Sequence, residues 1–300
     1  MGQNPEGRAS AVRTLTQYCR EQFGEKLYKL SLNGGMTCPN RDGTLDTRGC
    51  IFCSAGGSGE FAPSPTLDMD AQIEDAKRRV AGKFRGERYI AYFQAYTNTY
   101  APIQRLEELF LPVIRRPDIA VLSIATRPDC LDDEVLDLLS RLRREKPVWV
   151  ELGLQTVHPR TAAYIRRGYD TAVYDRAVAA LNALNIHTVT HVILGLPGES
   201  KEDMLDTVRH TVRAGSAGIK LQLLQVLRGT DLEREWRAGR VPVMEIDEYI
   251  DLLKACLALL PEETVVHRLT GDGPKRLLLA PLWCADKKRV LNALHRAGIG

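Results

Sequence analysis

Residues 27–53 decide the fold, and they read LYKLSLNGGMTCPNRDGTLDTRGCIFC. The stretch opens with a short apolar run, residues 27–32, which predicts a β-strand. A glycine-rich loop follows and carries Cys38, Cys50 and Cys53, with eleven residues between the first two and two between the last two. Glycines let a loop approach a bound group closely, and a two-residue gap lets neighbouring thiolates reach one metal centre. The stretch therefore predicts a first strand that leads into a metal-binding loop.

An iron-sulfur cluster and a zinc ion are both compatible with this loop, because a pair of cysteines two residues apart occurs in sites of both kinds. A closed zinc site needs a fourth ligand, and the loop contains no histidine and no further cysteine. Three ligands on a four-iron cluster leave one iron open, which a cofactor-binding cluster requires. We therefore favour the cluster and keep zinc as the alternative.

Outward from the loop, short apolar runs alternate with amphipathic helical patterns, which predicts a parallel sheet with one helix in each crossover. The predicted strands are residues 27–32, 89–94, 119–126, 148–155, 187–194 and 218–226. The predicted helices between them are residues 68–83, 102–115, 131–145, 171–184 and 201–214, with Asp68, Asp170 and Ser200 as N-caps. Six βα units are two short of a closed eight-stranded barrel. We predict an α/β fold, a partial (β/α)6 TIM-like barrel with the site at its C-terminal strand ends, and keep a doubly wound sheet as the alternative.

The rest of the chain predicts extensions at both ends of this barrel. An N-terminal helix is expected over residues 9–23. The tail predicts helices at residues 231–239, 246–260 and 285–297, a short strand at 264–269 and a turn at 271–274. No Pro/Ser-rich linker precedes the tail, so we expect it to pack on the barrel. The predicted units are an N-terminal helical extension (1–26), the barrel (27–228) and a C-terminal α/β extension (229–300).

Composition describes an ordinary globular chain. Of the 300 residues, 44% are hydrophobic and 26% are charged, and the net charge of +3 is too balanced to indicate a nucleic-acid binder by itself. Seven scattered cysteines do not resemble a disulfide framework. No run approaches the roughly 18 apolar residues of a membrane span, and the start lacks the apolar core of a secretory signal. We expect a cytoplasmic protein without membrane contact.

The cysteine loop resembles that of the radical S-adenosylmethionine (SAM) superfamily, in which three cysteines follow the first barrel strand and an aromatic residue, here Phe52, precedes the third. The usual gap between the first two cysteines is three residues. The longer gap, with CPNRDGT at 38–44 and GCIFC at 49–53, resembles a subgroup related to the Elongator catalytic subunit and to oxygen-independent coproporphyrinogen oxidase. Further matches are FQAYTNTY at 93–100, ELGLQT at 151–156, HVILGLPGE at 191–199, HRLTGDGP at 267–274 and APLW at 280–283. The resemblance thus covers nearly the whole chain.

The resemblance implies a [4Fe-4S] cluster on Cys38, Cys50 and Cys53, and SAM that is reductively cleaved to a 5'-deoxyadenosyl radical. It assigns the SAM contacts by position. Phe52 would lie near the adenine, Gln94 at the methionyl amine, Gln155 and His191 at the ribose, and Arg167 at the methionyl carboxylate. The four polar residues have structural alternatives. For Gln94 and Gln155 the alternative is a buried hydrogen-bond network. For His191 it is a strand histidine whose hydrogen bonds are already made, and for Arg167 it is a solvated surface side chain. Cys284 is a candidate late hydrogen donor or extra ligand, or else a small buried hydrophobic residue.

The subgroup also implies a substrate, transfer RNA modified on carbon 5 of the wobble uridine, and an electron donor such as flavodoxin or ferredoxin. Basic segments are available for phosphate contacts at residues 77–88, 141–146, 166–167, 275–276 and 287–289, although such groups are usually solvated helix faces. Two alternatives stay open. One is a radical enzyme that acts on a small metabolite, and the other is a non-catalytic zinc or RNA-binding module.

Overall fold

The protein is built on a parallel sheet of seven strands, seen in a computed structural model that describes residues 12–271 and 273–299. Six strands follow one another in the sheet in chain order: β1 (Tyr28–Leu32), β2 (Tyr89–Phe93), β3 (Ile119–Thr126), β4 (Val148–Gln155), β5 (His187–Leu194) and β6 (Gly218–Leu223). A short antiparallel pair follows, β7 (Val226–Leu227) with β9 (Leu278–Ala280), and β8 (Val265–Arg268) completes the large sheet beside β6. This order confirms the partial barrel. In a doubly wound sheet, the strand order would start at an inner strand, run to one edge, and then continue from the inner strand to the other edge.

The helices in chain order are α1 (Leu15–Phe23), α2 (Met69–Val80), α3 (Ile103–Arg115), α4 (Asp133–Glu145), α5 (Pro159–Tyr164), α6 (Thr171–Ala183), α7 (Lys201–Arg213), α8 (Asp231–Arg237), α9 (Ile246–Leu257) and α10 (Lys287–Arg296). Asp68 and Ser200 cap their helices through side-chain hydrogen bonds, as predicted. Asp170 occupies the N-cap position of α6 but makes no side-chain cap bond. The start of the helix predicted at 9–23 and position 272 of the predicted turn lie outside the described residues.

The seventh strand corrects the sequence prediction, which counted six and assigned residues 264–269 to the extension. In the strand register, Val265 pairs with Gly218 and Arg268 pairs with Lys220. Strand β8 therefore provides backbone hydrogen-bond partners for the edge of β6. Its first two residues, Val265 and Val266, are buried. The sheet thus continues past the predicted boundary at residue 228, and the division of the chain into three units stays a prediction.

Apolar side chains on the outer face of the sheet form the core. One group of buried residues joins β1–β4 to helices α2, α3, α4 and α6, and a second joins β5, β6 and β8 to α7, α9 and α10. Because these helices cover the outer face, the polar residues of the same strands project to the interior of the barrel. None of the described helices is long and apolar enough to cross a membrane.

Candidate active site

A cavity of about 250 Å³ opens at the C-terminal ends of the strands. Its wall contains all three cysteines of the predicted metal site, Cys38, Cys50 and Cys53, although eleven residues separate Cys38 from Cys50. All five predicted SAM contacts line the same cavity: Phe52, Gln94, Gln155, Arg167 and His191. The fold therefore brings together in one place the residues that the sequence singled out from β1, β2, β4, β5 and their loops.

The cysteine loop, residues 34–60, is held in place largely by its own hydrogen bonds. The Arg41 backbone N–H donates to the Cys38 carbonyl at 2.8 Å, and the Cys53 N–H donates to the Cys50 carbonyl at 3.0 Å. The Arg41 guanidinium also donates to the carbonyls of Cys53 at 2.9 Å and Ser54 at 2.7 Å. Arg41 thus ties the two cysteine-bearing halves of the loop together.

Arg166, two residues after the end of α5, anchors the same loop to the barrel. Its Nε donates to the carbonyl of Gly49 at 2.8 Å, and its Nη2 pairs with Asp231 at the start of α8 at 2.7 Å. The Ile51 N–H donates to the Ile165 carbonyl at 3.2 Å. The loop is therefore clamped between the segment after β4 and the C-terminal part of the chain.

The three thiols form a donor set that suits an iron-sulfur cluster. Burial raises the pKa of Cys50 to about 12, and the neighbouring Cys53 adds to the effect. Burial also raises the pKa of Cys53, although Arg41 counteracts it. Thiolates in such a desolvated place need a cationic centre, which iron provides. In the described part of the chain, no three His, Cys, Asp or Glu side chains converge on one point as the ligands of a single ion do.

Arg167 is buried rather than solvated, so the surface alternative for it is wrong. Its Nη1 donates to the carbonyls of Leu154 at 3.1 Å and Thr156 at 2.6 Å, and its Nε donates to the Tyr169 carbonyl at 2.9 Å. These bonds fix the end of β4. Its predicted contact with the methionyl carboxylate stays a prediction.

The two glutamines stand at strand ends and already have polar partners. The Ser31 hydroxyl donates to Gln94 Oε1 at 2.9 Å. Gln155 has a positive φ of 61°, and its amide nitrogen donates to the carbonyls of Gly153 at 3.2 Å and Leu154 at 2.9 Å. A left-handed backbone at a residue with a side chain is uncommon and is often found at functional sites.

His191 belongs to a network that the sequence analysis did not identify. Its Nε2 lies 2.7 Å from Glu151 Oε2. Lys29 Nζ donates to Glu151 Oε1 at 2.6 Å, and Lys220 Nζ donates to Glu151 Oε2. Lys220 also donates to the Tyr92 hydroxyl at 3.2 Å. We call these five residues, Lys29, Tyr92, Glu151, His191 and Lys220, the interior network.

Glu151, Lys220 and Tyr92 of the interior network are buried, whereas Lys29 and His191 are partly exposed. Glu151 is 0% exposed, and burial opposes its ionisation, but Lys220, Lys29 and the hydrogen bond from His191 hold its pKa well below the usual value. Burial, then the charge of Lys220, lowers the pKa of His191 to about 4, so this histidine is neutral at pH 7. The sequence does contain a signal for this network, because each of the apolar strands YKLSL, VWVELGLQ and GIKLQL includes one charged residue: Lys29, Glu151 and Lys220.

Cys284 is not among the described residues that line the cavity. Gln225, which does line it, donates to Cys284 Sγ at 3.0 Å. The thiol itself donates to the Pro281 carbonyl at 2.9 Å. Cys284 therefore lies behind Gln225, and its role as a hydrogen donor or extra ligand stays a prediction.

A parallel partial barrel with three cysteines beyond its first strand defines the class of radical SAM enzymes. The chain belongs to the radical SAM superfamily, because the sequence model described as "Radical SAM superfamily" matches residues 47–211, and that of the "Radical_SAM C-terminal domain" matches residues 216–297. The cofactors of this superfamily, a [4Fe-4S] cluster and SAM, are therefore those of this enzyme.

Within the superfamily, the chain is similar to protein YtqA of Bacillus subtilis (strain 168), with 44% identity over 94% of this chain and 88% of that protein. It is also similar to protein YhcC of Escherichia coli (strain K12), with 37% identity over 92% of this chain and 88% of that protein. A more distant relative is the tRNA uridine(34) acetyltransferase of Methanocaldococcus jannaschii, with 22% identity over 53% of this chain and 29% of that protein.

Among solved structures, Elp3 of the archaeon Methanocaldococcus infernus matches 91% of this chain with a TM-score of 0.67 and 16% identity. This chain spans 64% of that structure. Coproporphyrinogen III oxidase (HemN) of Escherichia coli matches 81% of this chain and 54% of its own length, with a TM-score of 0.54 and 17% identity. At these identities the structures support the fold alone.

Proposed function

We propose that Cys38, Cys50 and Cys53 ligate the [4Fe-4S] cluster and that the enzyme modifies the side chain on carbon 5 of the wobble uridine in transfer RNA. The observation that carries the first part is that three cysteine side chains from one loop line a single cavity. When bound, a [4Fe-4S] cluster with one open iron supplies reductive cleavage of SAM and so a 5'-deoxyadenosyl radical. An electron donor such as flavodoxin or ferredoxin completes the system.

The residues of this chain have three tasks in that chemistry. Arg41 and Arg166 hold the cysteine loop closed, which keeps water away from the thiolates. Phe52, Gln94, Gln155 and His191 line the cavity and supply contacts to the adenosyl and methionyl groups, with Arg167 as the carboxylate partner. The interior network closes the inner end of the barrel.

Two observations support RNA as the substrate. The similarity to a tRNA uridine(34) acetyltransferase covers about half of this chain. In addition, five basic side chains of the C-terminal extension are exposed, Lys275, Arg276, Lys287, Lys288 and Arg289. The first two directly follow Gly273 and Pro274, which line the cavity. These two side chains therefore stand beside the cavity lining, and exposed basic side chains suit contacts with phosphates.

Nucleoside analysis of bulk transfer RNA tests this proposal. A strain without the gene is compared with strains that carry the wild-type gene or the Cys50→Ala variant. We expect a C5-modified uridine to disappear in the deletion strain, to return with the wild-type gene and to stay absent with the variant. An unchanged nucleoside profile would exclude transfer RNA and would favour a small-metabolite substrate.

A further inference from the structure

We propose that Asn40 is a positioning residue whose side-chain amide donates a hydrogen bond to the sulfur of Cys50 and so raises the reduction potential of the [4Fe-4S] cluster. The inference rests on the proposed function in one respect only, namely that Cys50 is a ligand of that cluster. It adds a residue outside the three ligands and the predicted SAM contacts, and it assigns that residue an effect on electron transfer.

The first observation is the contact between the two side chains. Asn40 is 1% exposed, and its Nδ2 lies 3.4 Å from Cys50 Sγ, which suits a hydrogen bond to an atom as large as sulfur. In the structure, the thiol of Cys50 donates to the Arg166 carbonyl at 3.7 Å. A ligating cysteine is a thiolate without a proton, so it can no longer donate and must accept instead. Asn40 carries the donor that this thiolate meets.

The second observation is that the orientation of the Asn40 amide is fixed. An amide nitrogen has two N–H donors, and Nδ2 of Asn40 also donates to the carbonyl of Arg166 at 2.6 Å, with a longer contact of 3.5 Å to the carbonyl of Arg167. The reversed amide would place its oxygen against these carbonyl oxygens, so the network determines the orientation. The amide oxygen faces Gly168, where an added Cβ would lie 2.9 Å from Oδ1. The donor therefore stays directed at the sulfur of Cys50.

The backbone around Asn40 holds the same geometry. The Gly49 N–H donates to the Asn40 carbonyl at 2.7 Å, so a second hydrogen bond ties Asn40 to the residue directly before Cys50. The Gly49 carbonyl in turn accepts from Arg166 Nε at 2.8 Å. Asn40, Gly49 and Arg166 thus form a closed set of hydrogen bonds around the sulfur of Cys50. A donor that is fixed in this way needs no rearrangement when the charge on the sulfur changes.

The electrostatic effect of this hydrogen bond has a definite sign. One electron passes from the reduced flavodoxin or ferredoxin to the cluster, which adds negative charge to the iron ions and their sulfur ligands. An N–H dipole directed at a ligating sulfur stabilises the added charge, and hydrogen bonds to the sulfurs are among the factors that set cluster potentials. The effect is larger in a buried place, where the effective dielectric constant is low. Asn40 should therefore make the cluster easier to reduce, and no bond is made or broken at Asn40 itself.

A redox titration of the anaerobically reconstituted enzyme without SAM tests the proposal, with the EPR signal of the reduced cluster as the readout. Asn40→Leu keeps the shape of the side chain and removes its N–H donors. We expect the equilibrium constant for one-electron reduction to fall about tenfold, which is a shift of about 59 mV to more negative potential. Tyr96→Phe is the control, because it removes a hydrogen bond of the same loop that reaches no sulfur, from the Tyr96 hydroxyl to the Ala55 carbonyl at 2.5 Å. Its potential should equal that of the wild type, even if its iron content falls.

A second measurement detects the hydrogen bond directly. The enzyme is produced with asparagine that carries nitrogen-15 in its side-chain amide, and pulsed EPR of the reduced cluster records magnetic coupling to that nucleus. Among the described residues, Asn40 is the only asparagine whose amide lies within hydrogen-bond distance of a cysteine sulfur. We expect a nitrogen-15 coupling in the wild type and in Tyr96→Phe, and none in Asn40→Leu. If Asn40→Leu does not assemble a cluster, the coupling in the wild type decides alone.

Equal potentials of the wild type and Asn40→Leu would overturn the proposal, and so would a wild type without the nitrogen-15 coupling. An equal shift of the potential in Asn40→Leu and Tyr96→Phe would also overturn it, because loosening of the loop would then explain the change. These results leave the ligation by the three cysteines untouched. A wild type without cluster absorption would instead overturn the ligation by Cys50, and with it the inference, so the absorption spectra of the same samples distinguish the two failures.

Discussion

Lys29 on β1 and Glu151 on β4 meet across the interior of the barrel, with Nζ 2.6 Å from Oε1, although β2 and β3 separate their strands in the sheet. Such a contact is possible only because the sheet curves until β1 faces β4. The same carboxylate reaches Lys220 on β6. One glutamate thus links three non-adjacent strands and fixes the shape of the cavity above it.

Replacement of Glu151 by Gln should destabilise the protein strongly. The change leaves the ammonium groups of Lys29 and Lys220 buried without a counter-charge, and removal of one partner of a buried ion pair costs about 3–5 kcal/mol. Urea unfolding measures the loss. The matched control is Glu145→Gln, which breaks the exposed pair with Arg115 and should cost less than about 1 kcal/mol. Equal losses in the two variants would contradict the account.

Replacement of Gly59 by Ala should disturb the cavity wall. The added Cβ would lie 2.4 Å from the Cβ of Ala95 and 3.1 Å from its Cα, so the loop must move away from the end of β2. We expect a loss of stability of about 1–3 kcal/mol and weaker SAM binding. Gly82→Ala is the control, because an added Cβ at Gly82 has no neighbour within 4 Å among the described residues. Equal stability and equal SAM affinity of the two variants would show that the loop is not packed as described.

Replacement of Arg41 by Met should reduce cluster content. The guanidinium of Arg41 joins the halves of the cysteine loop through the carbonyls of Cys53 and Ser54. Without it, the thiols lose their fixed spacing, and we expect the iron content after anaerobic reconstitution to fall several-fold. Arg48→Met serves as the control, since Arg48 is 61% exposed and its nearest carboxylate partners lie 3.9–4.0 Å away. Full iron content in Arg41→Met would refute the proposed role of this side chain.

Stability should fall as the pH is lowered from about 6.5 to about 4. Burial, then the charge of Lys29, lowers the pKa of His187 from 6.5 to about 4. Within this window the unfolded chain binds a proton that folded His187 does not, so acid favours unfolding, by at most about 1.4 kcal/mol per pH unit for this residue. His187→Phe should flatten the pH dependence of the free energy of unfolding. An unchanged slope would mean that His187 is protonated in the folded protein.

Local sequence was enough to predict most of the sheet, and it singled out three cysteines that line one cavity. The spacing of Cys38, Cys50 and Cys53 and the apolar runs are patterns within a few tens of residues, and the structure brings them to one cavity. Glu151 and Lys220 are 69 positions apart, and no local pattern pairs them. Their contact follows from the curvature of the sheet, which is a property of the whole fold.

The short strand β8 was missed as a barrel strand for a related reason. Four residues that follow two helices carry too little periodicity to reveal their pairing partner. Helix α5 was not predicted at all, because its six residues begin at Pro159 in a segment that reads as a loop. The position of Cys284 behind Gln225 likewise depends on tertiary packing.

The central claim is that Cys38, Cys50 and Cys53 hold a [4Fe-4S] cluster that acts on SAM. The most direct measurement combines the visible absorption of anaerobically reconstituted protein with the release of 5'-deoxyadenosine from SAM under reducing conditions. We predict that the wild type and Cys256→Ala, a buried cysteine on α9, show both signals, and that each single alanine variant of the three loop cysteines loses both. Retention of both signals by all three loop variants, or a wild-type protein without a cluster, would contradict the claim.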